Sequence, residues 1–311
     1  MKKLSYKTYG DAEVLYFKEL DIPRLKSKNK ILVKVLYSSL NAVDWKYRKG
    51  YFGFFTRLFH TNLGFDVVGE VVDSTTNSCR KGELIMGLFP NLQGGAHSEY
   101  VVLNRGQFIT ISPQVNLVEL AGLPMVGLTA WLALTKKAKI KKGDKVLING
   151  GSSGVGHIAI QLAKYYGAEV TSVSSRRNQE FCKRLGADYT VSYQDANVLE
   201  LKKQFDIVFD IVANLSITKA DKILASKGCY INTNISLRLV MDMIRYRNVK
   251  FVYVYPRMDG FIELYNLIKS KKIKIHIDRT FLFSDIITAH QYVEQSRTTG
   301  KVVVNICDMK I

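Results

Sequence analysis

Residues 141–188 read KKGDKVLINGGSSGVGHIAIQLAKYYGAEVTSVSSRRNQEFCKRLGAD, and this stretch decides the fold. Lys145–Asn149 is a short apolar run that predicts a strand, and Gly151, Gly154 and Gly156 follow it in a turn. Glycine has no Cβ, so a backbone rich in glycine turns tightly and approaches a phosphate group closely. The stretch therefore predicts the first strand and turn of a nucleotide-binding β-α-β unit.

A helix and a second strand complete this unit. Apolar residues recur at helical spacing after the turn, at Val155, Ile158, Ala159, Leu162, Ala163 and Tyr166. One face of such a helix packs on a sheet, while the amides of its first turn point at a phosphate. Gly167 ends the helix and Glu169–Val173 reads as the second strand. That strand ends about 20 residues beyond the turn, which is the distance that a ribose-contacting side chain requires.

The glycine pattern departs from the standard G-x-G-x-x-G because Ser153 stands where the middle glycine would be. The alternative interpretation of such a loop is an ordinary glycine-rich β-α turn. The flanking strand, helix and second strand favour a dinucleotide site.

The end of the second strand indicates which dinucleotide binds. An NAD site usually carries Asp or Glu there, whereas this chain has Ser174, Ser175, Arg176 and Arg177. Guanidinium groups match phosphate geometry, so we expect NADPH, whose 2′-phosphate would meet these side chains. The alternative is that the two arginines only cover the start of a helix, where positive charge is mildly unfavourable.

Length and composition set broad limits. The chain has 311 residues, of which 47% are hydrophobic, and this suits two domains with cores of their own. The sequence has neither an apolar stretch after its first lysines nor a window of ~18 uninterrupted apolar residues, so we expect a soluble cytoplasmic protein. Cys79, Cys182, Cys229 and Cys307 form no C-x-x-C pair, so we expect reduced thiols.

The formal net charge of +18 is unusual. Nucleic acid, an anionic membrane surface and a polyanionic cofactor are partners that such a charge attracts. Lysines concentrate at Lys136–Lys145 and Lys269–Lys274, without the interleaved aromatics of a stacking platform. We therefore favour a solvated basic surface, expect no membrane partner, and keep nucleic acid as the less favoured partner.

Three stretches of the chain differ in character. Residues 1–120 contain short β-like runs that predict a small mostly-β domain. Residues 121–260 alternate strands with helices, which predicts a doubly wound parallel sheet. Residues 261–311 predict a helix, a strand at Ile273–Ile277, a second helix and a strand at Lys301–Ile306, in a segment that returns to the first domain. The strands predicted in the first two stretches include Ile31–Tyr37, Val67–Val72, Tyr100–Leu103, Phe205–Ile211, Gly228–Thr233 and Lys250–Tyr255.

A series of motifs then identifies the chain with a family. They are NAVDWK at 41–46 followed by Arg48 and Gly50, GFDVVG at 64–69, GAHSEY at 95–100, LPMVGLTA at 123–130, the glycine turn, and GKVV at 300–303. In these motifs the chain resembles the zinc-independent quinone oxidoreductase family, zeta-crystallin and plant alkenal reductases included, of the medium-chain dehydrogenase/reductase superfamily. The resemblance covers nearly all of the chain. It implies an α/β protein with a GroES-like mostly-β catalytic domain, a Rossmann domain and an active site in the cleft between them.

The residues argue against a catalytic metal. A catalytic zinc needs three protein ligands of His, Cys or carboxylate type. Where zinc-dependent relatives carry Cys and Gly-His-Glu, this chain has Asn41 and Gly64-Phe65-Asp66, and the lobe for a structural zinc offers only Cys79. His60 and His97 remain as candidates, but a lone histidine is more often a surface or packing residue.

Without a metal, the hydride acceptor must already be electrophilic, which favours quinones and C=C bonds conjugated to a carbonyl. Asn41 and Lys46 lie in a motif that lines the family's cleft, so we expect them to hydrogen-bond the developing oxyanion, with Lys46 or a water supplying the proton. The alternative is a salt bridge from Lys46 to Asp44 or Asp66 and a turn-capping role for Asn41. Three aromatic residues are either a stacking wall for a flat substrate or part of the core: Tyr47, Tyr51 and Phe52.

The resemblance also implies cofactor contacts. Thr129 would lie near the nicotinamide and Tyr193 near the adenosine phosphate. The pyrophosphate would meet the turn and helix start, at Gly151, Ser152, Ser153, Gly154, Val155 and Gly156. The carboxamide would meet backbone groups of Phe251, Val252, Tyr253 and Val254. Val212-Ala213-Asn214 departs from the Gly-Gly turn of relatives.

These observations predict an NADPH-dependent, zinc-independent reductase of a quinone, alkenal or enone. A nucleotide-sensing or RNA-binding protein with little turnover, on the same fold, stays open because of the charge. The resemblance also makes a homodimer possible.

Overall fold

The structure is a computed structural model that describes residues 1–53, 62–90, 94–201 and 203–307. The chain divides into two compact units. The first contains Met1–Leu128, Val254–Lys269 and Ile275–Ile311, and the second contains Thr129–Tyr253 and Ser270–Lys274. The chain thus leaves the first unit after Leu128, whereas composition places the domain boundary at residue 120.

The strands are β1 Lys2–Tyr6, β2 Leu15–Glu19, β3 Lys30–Leu40, β4 Asp66–Ser74, β5 Leu84–Leu88, β6 Tyr100–Asn104, β7 Phe108–Ile111, β8 Lys145–Asn149, β9 Glu169–Ser174, β10 Tyr189–Ser192, β11 Phe205–Asp210, β12 Leu224–Asn232, β13 Val249–Phe251, β14 Ile277–Leu282 and β15 Lys301–Asn305. The α-helices are α1 Ala42–Arg48, α2 Leu117–Ala121, α3 Pro124–Trp131, α4 Gly156–Tyr165, α5 Gln179–Arg184, α6 Ile217–Ala220, α7 Leu237–Arg245, α8 Met258–Lys269 and α9 Ile286–Glu294. A π-helical segment, Leu132–Ala138, follows α3.

The second unit is built on a parallel sheet with the strand order β10-β9-β8-β11-β12-β13. The central strands are continuous apolar runs because both faces of the sheet are covered; Val146, Leu147 and Ile148 of β8 are fully buried. From β8 the chain builds outward to β9 and β10, and then returns to add β11 on the other side. In open α/β sheets, ligands bind at the carboxyl ends of the strands where the order reverses, which here is between β8 and β11.

The first unit is built on a mostly antiparallel sheet with the order β14-β15-β3-β4-β5-β7, and β6 pairs with β3. The long β3 is its centre, with Ile31, Val33 and Val35 buried. The closing strand β15 pairs with β3 so that Val302 lies opposite Leu40. This pairing places Lys301 beside the start of α1.

One strand lies elsewhere than predicted. The sequence predicts a strand at Ile273–Ile277, but β14 begins at Ile277 and continues to Leu282. Its position is set by parallel pairing with β15, in which Leu282 lies opposite Asn305. Ile273 and Ile275 are buried without being in a strand, so their apolar character reports burial rather than sheet pairing.

Across the described ranges, none of the helices combines the length and the apolarity that crossing a bilayer requires.

Candidate functional site

The glycine turn after β8 has no room for side chains at two positions. A Cβ on Gly151 would lie 1.9 Å from Ser172 Oγ of β9, and a Cβ on Gly156 would lie 2.1 Å from the carbonyl oxygen of Gly150. Glycine is therefore required for the turn to pack against β9 and for α4 to start where it does. Steric exclusion of a Cβ thus explains why the two outer positions of the sequence motif, Gly151 and Gly156, are glycine.

The serine at the middle position caps the helix. Ser153 N–H donates to Gly150 O at 3.0 Å, and Ser153 Oγ accepts from Gly156 N at 3.1 Å. A hydroxyl that accepts from a first-turn amide performs the usual work of a helix cap. The departure from the standard fingerprint therefore keeps the loop geometry ordered. Ser152 Oγ, beside it, accepts from Asn178 Nδ2 at 3.0 Å.

An open crevice lies at the carboxyl ends of β8 and β9, on the side where the strand order reverses. Its volume is about 500 Å³. Its lining includes Asn149, Val173, Tyr193, Asp195, Asn214 and Lys219. A second pocket of about 410 Å³ shares Asn214 and Lys219 with it. The structure therefore brings Tyr193 to the crevice at which the sequence predicts the adenosine half of a dinucleotide.

Asp210, at the end of β11, holds the neighbouring turn. Its buried carboxylate accepts from Asn149 Nδ2 at 2.7 Å, from the amides of Ala213 and Leu215 at 2.9 Å each, and from Tyr230 Oη at 3.0 Å. Burial raises the pKa of Asp210, and these hydrogen bonds oppose that rise. Ala213 has φ +61°, a conformation that favours glycine. The Asp210 hydrogen bonds therefore hold a turn in which Ala213 has a left-handed conformation.

The loop after β10 contributes to the crevice an acid that the sequence did not reveal. Asp195, on the loop after β10, accepts two hydrogen bonds from the Arg176 guanidinium. The hydrogen bond from Arg176 Nε is 3.0 Å long. The pair is exposed, at 72% for the arginine side chain and 42% for the aspartate. The hydrogen bonds from Arg176 lower the pKa of Asp195 to about 2. The signal that could have indicated Asp195 is the pairing of Ser192 with Ser174, because the loops that follow paired parallel strands leave the sheet at the same edge.

The other predicted cofactor residues of the second unit lie in varied surroundings. Ser174 is buried and its Oγ accepts from Gln179 Nε2 at 3.0 Å, whereas Arg177 is exposed. Val252 is buried and its amide donates to Asn232 O at 3.0 Å. The remaining ones are Thr129, which is buried; Gly154, Val155, Ser175 and Phe251, which are half-buried; and Tyr253, which is exposed. Phe251–Tyr253 is at the β13 edge of the sheet, away from β9.

In the first unit, Asn41 belongs to a buried polar network. Lys301 Nζ donates to Asn41 Oδ1 at 2.6 Å and to Leu40 O at 2.7 Å, and it lies 3.7 Å from Asp66 Oδ2. Asn41 Nδ2 donates to the same Asp66 oxygen at 2.8 Å. The amide plane of Asn41 is therefore held between an ammonium and a carboxylate. Burial lowers the pKa of Lys301, and the neighbouring carboxylates of Asp66 and Asp44 oppose this.

The two aspartates that were alternative partners for Lys46 are held by other donors. Asp66 Oδ1 accepts from Met125 N at 2.7 Å, and Asp44 accepts from the amides of Asn41 at 2.8 Å and Gly64 at 2.7 Å. Burial raises the pKa of Asp44 to about 7.

Lys46 itself is half-buried, with Nζ 5.9 Å from the centre of the Trp45 ring. Burial lowers the pKa of Lys46. Within the described ranges, no carboxylate lies at ion-pair distance from its ammonium. A lysine in this condition gives up its proton more readily than an exposed one.

The three aromatic residues predicted for the substrate pocket, one in α1 and two after it, separate into two kinds. Tyr47 is 5% exposed and packs against Phe52 and Phe65, with ring centres 4.6 and 6.1 Å away. Tyr51 is 67% and Phe52 39% exposed. Tyr51 and Phe52 therefore present ring surface to solvent, whereas Tyr47 belongs to the core.

Of the two histidines that remained as metal-ligand candidates, only His97 is among the described residues. His97 is fully buried and its ring meets that of His290, with centres 5.5 Å apart. His60 lies outside the described residues. Among the side chains that the structure describes, no group of three His, Cys, Asp or Glu is arranged to hold a metal ion.

Comparison with known proteins identifies this architecture. A family model described as an alcohol dehydrogenase GroES-like domain matches residues 27–113, and one described as a zinc-binding dehydrogenase matches residues 185–304. The chain is 31% identical to a chloroplastic quinone-oxidoreductase homolog of Spinacia oleracea, over 98% of each chain. The chain belongs to the zinc-independent quinone oxidoreductase family. This confirms the predicted family and fold class.

Two further relatives of this family show its range. The chain is 30% identical to an NADPH-dependent alkenal/one oxidoreductase of Arabidopsis thaliana, over 98% of this chain and 79% of the relative. The solved quinone oxidoreductase from Coxiella burnetii is 30% identical, with a TM-score of 0.91 over 98% of this chain and 99% of that one.

Proposed function

We propose that this chain is an NADPH-dependent reductase that delivers a hydride to a quinone or to a C=C bond conjugated to a carbonyl. The observation that carries the proposal is the crevice at the reversal point of the parallel sheet. Its lining includes Asn149, the last residue of β8, and the turn in which Gly151 and Gly156 exclude side chains follows that residue in the chain. The names of the spinach and Arabidopsis relatives, a quinone oxidoreductase homolog and an alkenal/one oxidoreductase, support this substrate class.

The residues of the second unit fit NADPH. The Gly151–Gly156 turn lets backbone amides approach a pyrophosphate, and the N-terminus of α4 favours its negative charge. Arg176 and its partner Asp195 are both exposed, so water screens the attraction between their charges. A 2′-phosphate carries more charge than one carboxylate, so it competes for the guanidinium. NADPH, when bound, supplies the hydride.

The residues of the first unit do not fit a catalytic zinc. The position that would supply a thiolate is Asn41, whose Oδ1 already accepts from the Lys301 ammonium. A divalent cation placed there would be repelled by the buried ammonium of Lys301. That ammonium lies 3.7 Å from Asp66 Oδ2, the carboxylate oxygen that a cation would need as a ligand. We therefore propose that Lys301, rather than a metal ion, supplies the positive charge of this site.

Asn41 and Lys46 are the groups that we propose for the oxyanion. An amide nitrogen has two hydrogens, and Asp66 accepts only one of those on Asn41 Nδ2. The other hydrogen on Asn41 Nδ2 points in a fixed direction because the Lys301 contact holds the amide group in place. A preorganised donor to an oxyanion must be fixed in this way. Lys46, with its lowered pKa, would give its proton to the enolate or hydroquinone anion. Lys301 acts through Asn41 and is a positioning residue.

Loss of NADPH absorbance, measured with a panel of quinones, alkenals and enones, tests the proposal. We expect turnover with at least one class, and we expect a chelator to leave it unchanged. NADPH oxidation no faster than in protein-free controls across the whole panel would rule the reductase out. Chelator-sensitive turnover with stoichiometric zinc in the protein would contradict the metal-free part alone.

The other expectations stay predictions. Cytoplasmic location is not supported by the spinach and Arabidopsis relatives, whose names place them in chloroplasts. A homodimer and the absence of a nucleic-acid partner are matters for measurement in solution.

A further inference from the structure

A second pocket of the second unit lies beside the crevice, between α6 and α7, and we call it the α6–α7 pocket. Its volume is about 410 Å³. Because α6 joins β11 to β12 and α7 joins β12 to β13, the pocket lies on the side of α7 that faces the middle of the sheet. The two helices contribute to its lining Ile217, Thr218, Lys219, Arg238, Leu239 and Asp242.

The charged residues of the α6–α7 pocket favour an anion. Lys219 and Arg238 are exposed cations in its lining, against one acid, Asp242. In the part of the chain that the structure describes, no carboxylate lies at ion-pair distance from either cation. Two cations in one concave site attract an oxyanion more strongly than two separate cations on a flat surface, because the walls of the site focus their field.

The rest of the lining suits an organic molecule rather than a bare ion. Ile217 and Leu239, which are 2% and 5% exposed, provide an apolar part of the lining. Thr218 and Asn234 are exposed there and provide a hydroxyl and an amide. Apolar walls with a few polar groups, in a volume of this size, are typical of small-molecule sites. The lining therefore fits an organic oxyanion that carries hydroxyl groups.

The α6–α7 pocket and the crevice share one wall. Asn214, Leu215 and Lys219 line both. The loop part of this wall is held in place, because Asp210 accepts from the Leu215 amide at 2.9 Å and Asn149 Nδ2 donates to Asn214 Oδ1 at 2.7 Å. A lysine ammonium, by contrast, is a point charge on a flexible stem. Lys219 is therefore the charged group of the wall that can serve either side.

We propose that the α6–α7 pocket binds a hydroxylated organic oxyanion, a phosphate ester or a carboxylate, and that its occupation weakens NADPH binding in the crevice. Lys219 pairs with the oxyanion and is then withdrawn from the phosphates of NADPH. The two anionic ligands also repel each other across the shared wall. Binding of the oxyanion is independent of the proposed reductase, whereas the effect on NADPH rests on that proposed function.

Calorimetric titration of the full chain, at constant ionic strength, tests the binding. The probes are glucose 6-phosphate for the phosphate class, gluconate for the carboxylate class, and glucose as the uncharged control. We expect a dissociation constant in the low millimolar range for at least one of the two anions and no measurable binding of glucose. Dissociation constants above ~20 mM for both anions would overturn the proposal, and so would glucose binding as strong as theirs.

Single-charge variants locate the site. Lys219→Gln and Arg238→Gln should each weaken binding of the anion at least about fivefold, since each removes a charge-assisted contact. The matched controls are Lys222→Gln and Arg245→Gln, which remove exposed cations next to α6 and at the end of α7 outside the pocket lining. These controls change the net charge equally and should bind like the parent. Equal weakening in all four variants would show a general attraction by the basic surface and overturn the proposal.

Fluorescence titration of NADPH at rising anion concentration tests the effect on the crevice. We expect the dissociation constant of NADPH to rise about fivefold and then level off, because coupling between two separate sites is limited. Lys219→Gln should abolish this rise at saturating anion. Arg238→Gln, which changes only the α6–α7 pocket, should shift the rise to higher anion concentration without changing its limit.

Two results of this titration would overturn the proposal. A rise that continues in proportion to the anion concentration would show that the anion competes with NADPH in the crevice. An unchanged dissociation constant of NADPH at saturating anion would show that the shared wall transmits nothing. If the chain bound no NADPH at all, the proposed function would fail, and calorimetry with the four variants would still decide whether the α6–α7 pocket binds the anion.

Discussion

The two candidate sites of this chain are built from opposite materials. The crevice of the second unit is shaped by backbone, with glycines where a Cβ would collide and an exposed Arg176–Asp195 pair at its end. The network of the first unit is made of buried charged side chains, Lys301, Asp66 and Asp44. Exposed charge pairs contribute little and exchange easily, whereas a buried charge that loses its partner costs several kcal/mol. The crevice can thus accept a new anion, and the buried network can hold one hydrogen-bond donor in a fixed direction.

The largest expected effect is at the buried ammonium. Lys301→Met removes the donor to Asn41 Oδ1 and leaves Asp66 without its neighbouring cation. We expect a loss of about 3–5 kcal/mol in the free energy of unfolding, measured in urea. The exposed Lys26→Met is the control and should change it by less than about 0.5 kcal/mol. A Lys301→Met protein as stable as the parent would show that the network does not carry buried charge.

The next effect is a pH dependence of stability in the first unit. Burial lowers the pKa of His97 to about 4. Below about 6.5 the unfolded imidazole gains a proton that the folded one refuses, so stability is lost as the pH falls from about 6.5 towards 4. His97 would contribute about 3 kcal/mol over this window.

The raised pKa of Asp44 changes stability with pH in the opposite direction. The effect of His97 must therefore be measured as a difference between the parent and a variant. Its pKa, raised to about 7, lets the folded state gain a proton first, which adds stability as the pH falls towards about 4. The check is therefore the difference in unfolding free energy between the parent and His97→Gln, measured from pH 7 to 4.5. That difference should shrink as the pH falls. A difference that stays constant over this range would contradict the prediction.

A smaller effect tests the backbone character of the crevice. Gly151→Ala places a Cβ against Ser172 Oγ, and we expect a loss of about 1–3 kcal/mol in stability, with weaker NADPH binding. Adding Ser172→Ala removes the colliding oxygen and should restore part of both. If Gly151→Ala binds NADPH like the parent, the turn does not approach the pyrophosphate.

The exposed pair should affect cofactor choice rather than stability. Arg176→Ala should weaken NADPH binding about tenfold and leave NADH binding unchanged, since a hydrogen-bonded charge to phosphate is lost. Asp195→Asn should strengthen NADPH binding a few-fold, because it removes the competing carboxylate. Titration of both cofactors by fluorescence measures this. Equal binding of NADPH and NADH by the parent would contradict the proposed preference.

The smallest effect is in the turn held by Asp210. Ala213→Gly removes the strain of a left-handed alanine at φ +61° but adds freedom to the unfolded chain. We expect a net gain of about 0.5 kcal/mol in the free energy of unfolding. Ala225→Gly, within β12, should instead destabilise, since glycine weakens a strand.

Local pattern was sufficient for the elements whose burial follows from their own residues. The predicted strand Lys145–Asn149 coincides with β8, and the helix after the turn lies where its apolar spacing placed it, because the apolar residues that define both patterns are mostly buried. The predicted strand at Ile273–Ile277 is wrong because the partner strand β15, remote in sequence, decides which residues pair. Asp195 was missed for the same reason, since only the pairing of β10 with β9 brings it to Arg176.

The sequence by itself determined the dinucleotide unit, since glycine sterics and apolar periodicity act between residues close along the chain. It also placed Asn41 and Lys46 in a shared motif. Only the tertiary structure decided that Lys301, 260 residues from Asn41, donates to the amide of that residue. The exposure of Leu237, Met241 and Ile244 on α7 was likewise decided there, because apolar spacing is the same in a buried helix face and an exposed one. Contacts between distant segments depend on how the sheets assemble, and no local pattern records that assembly.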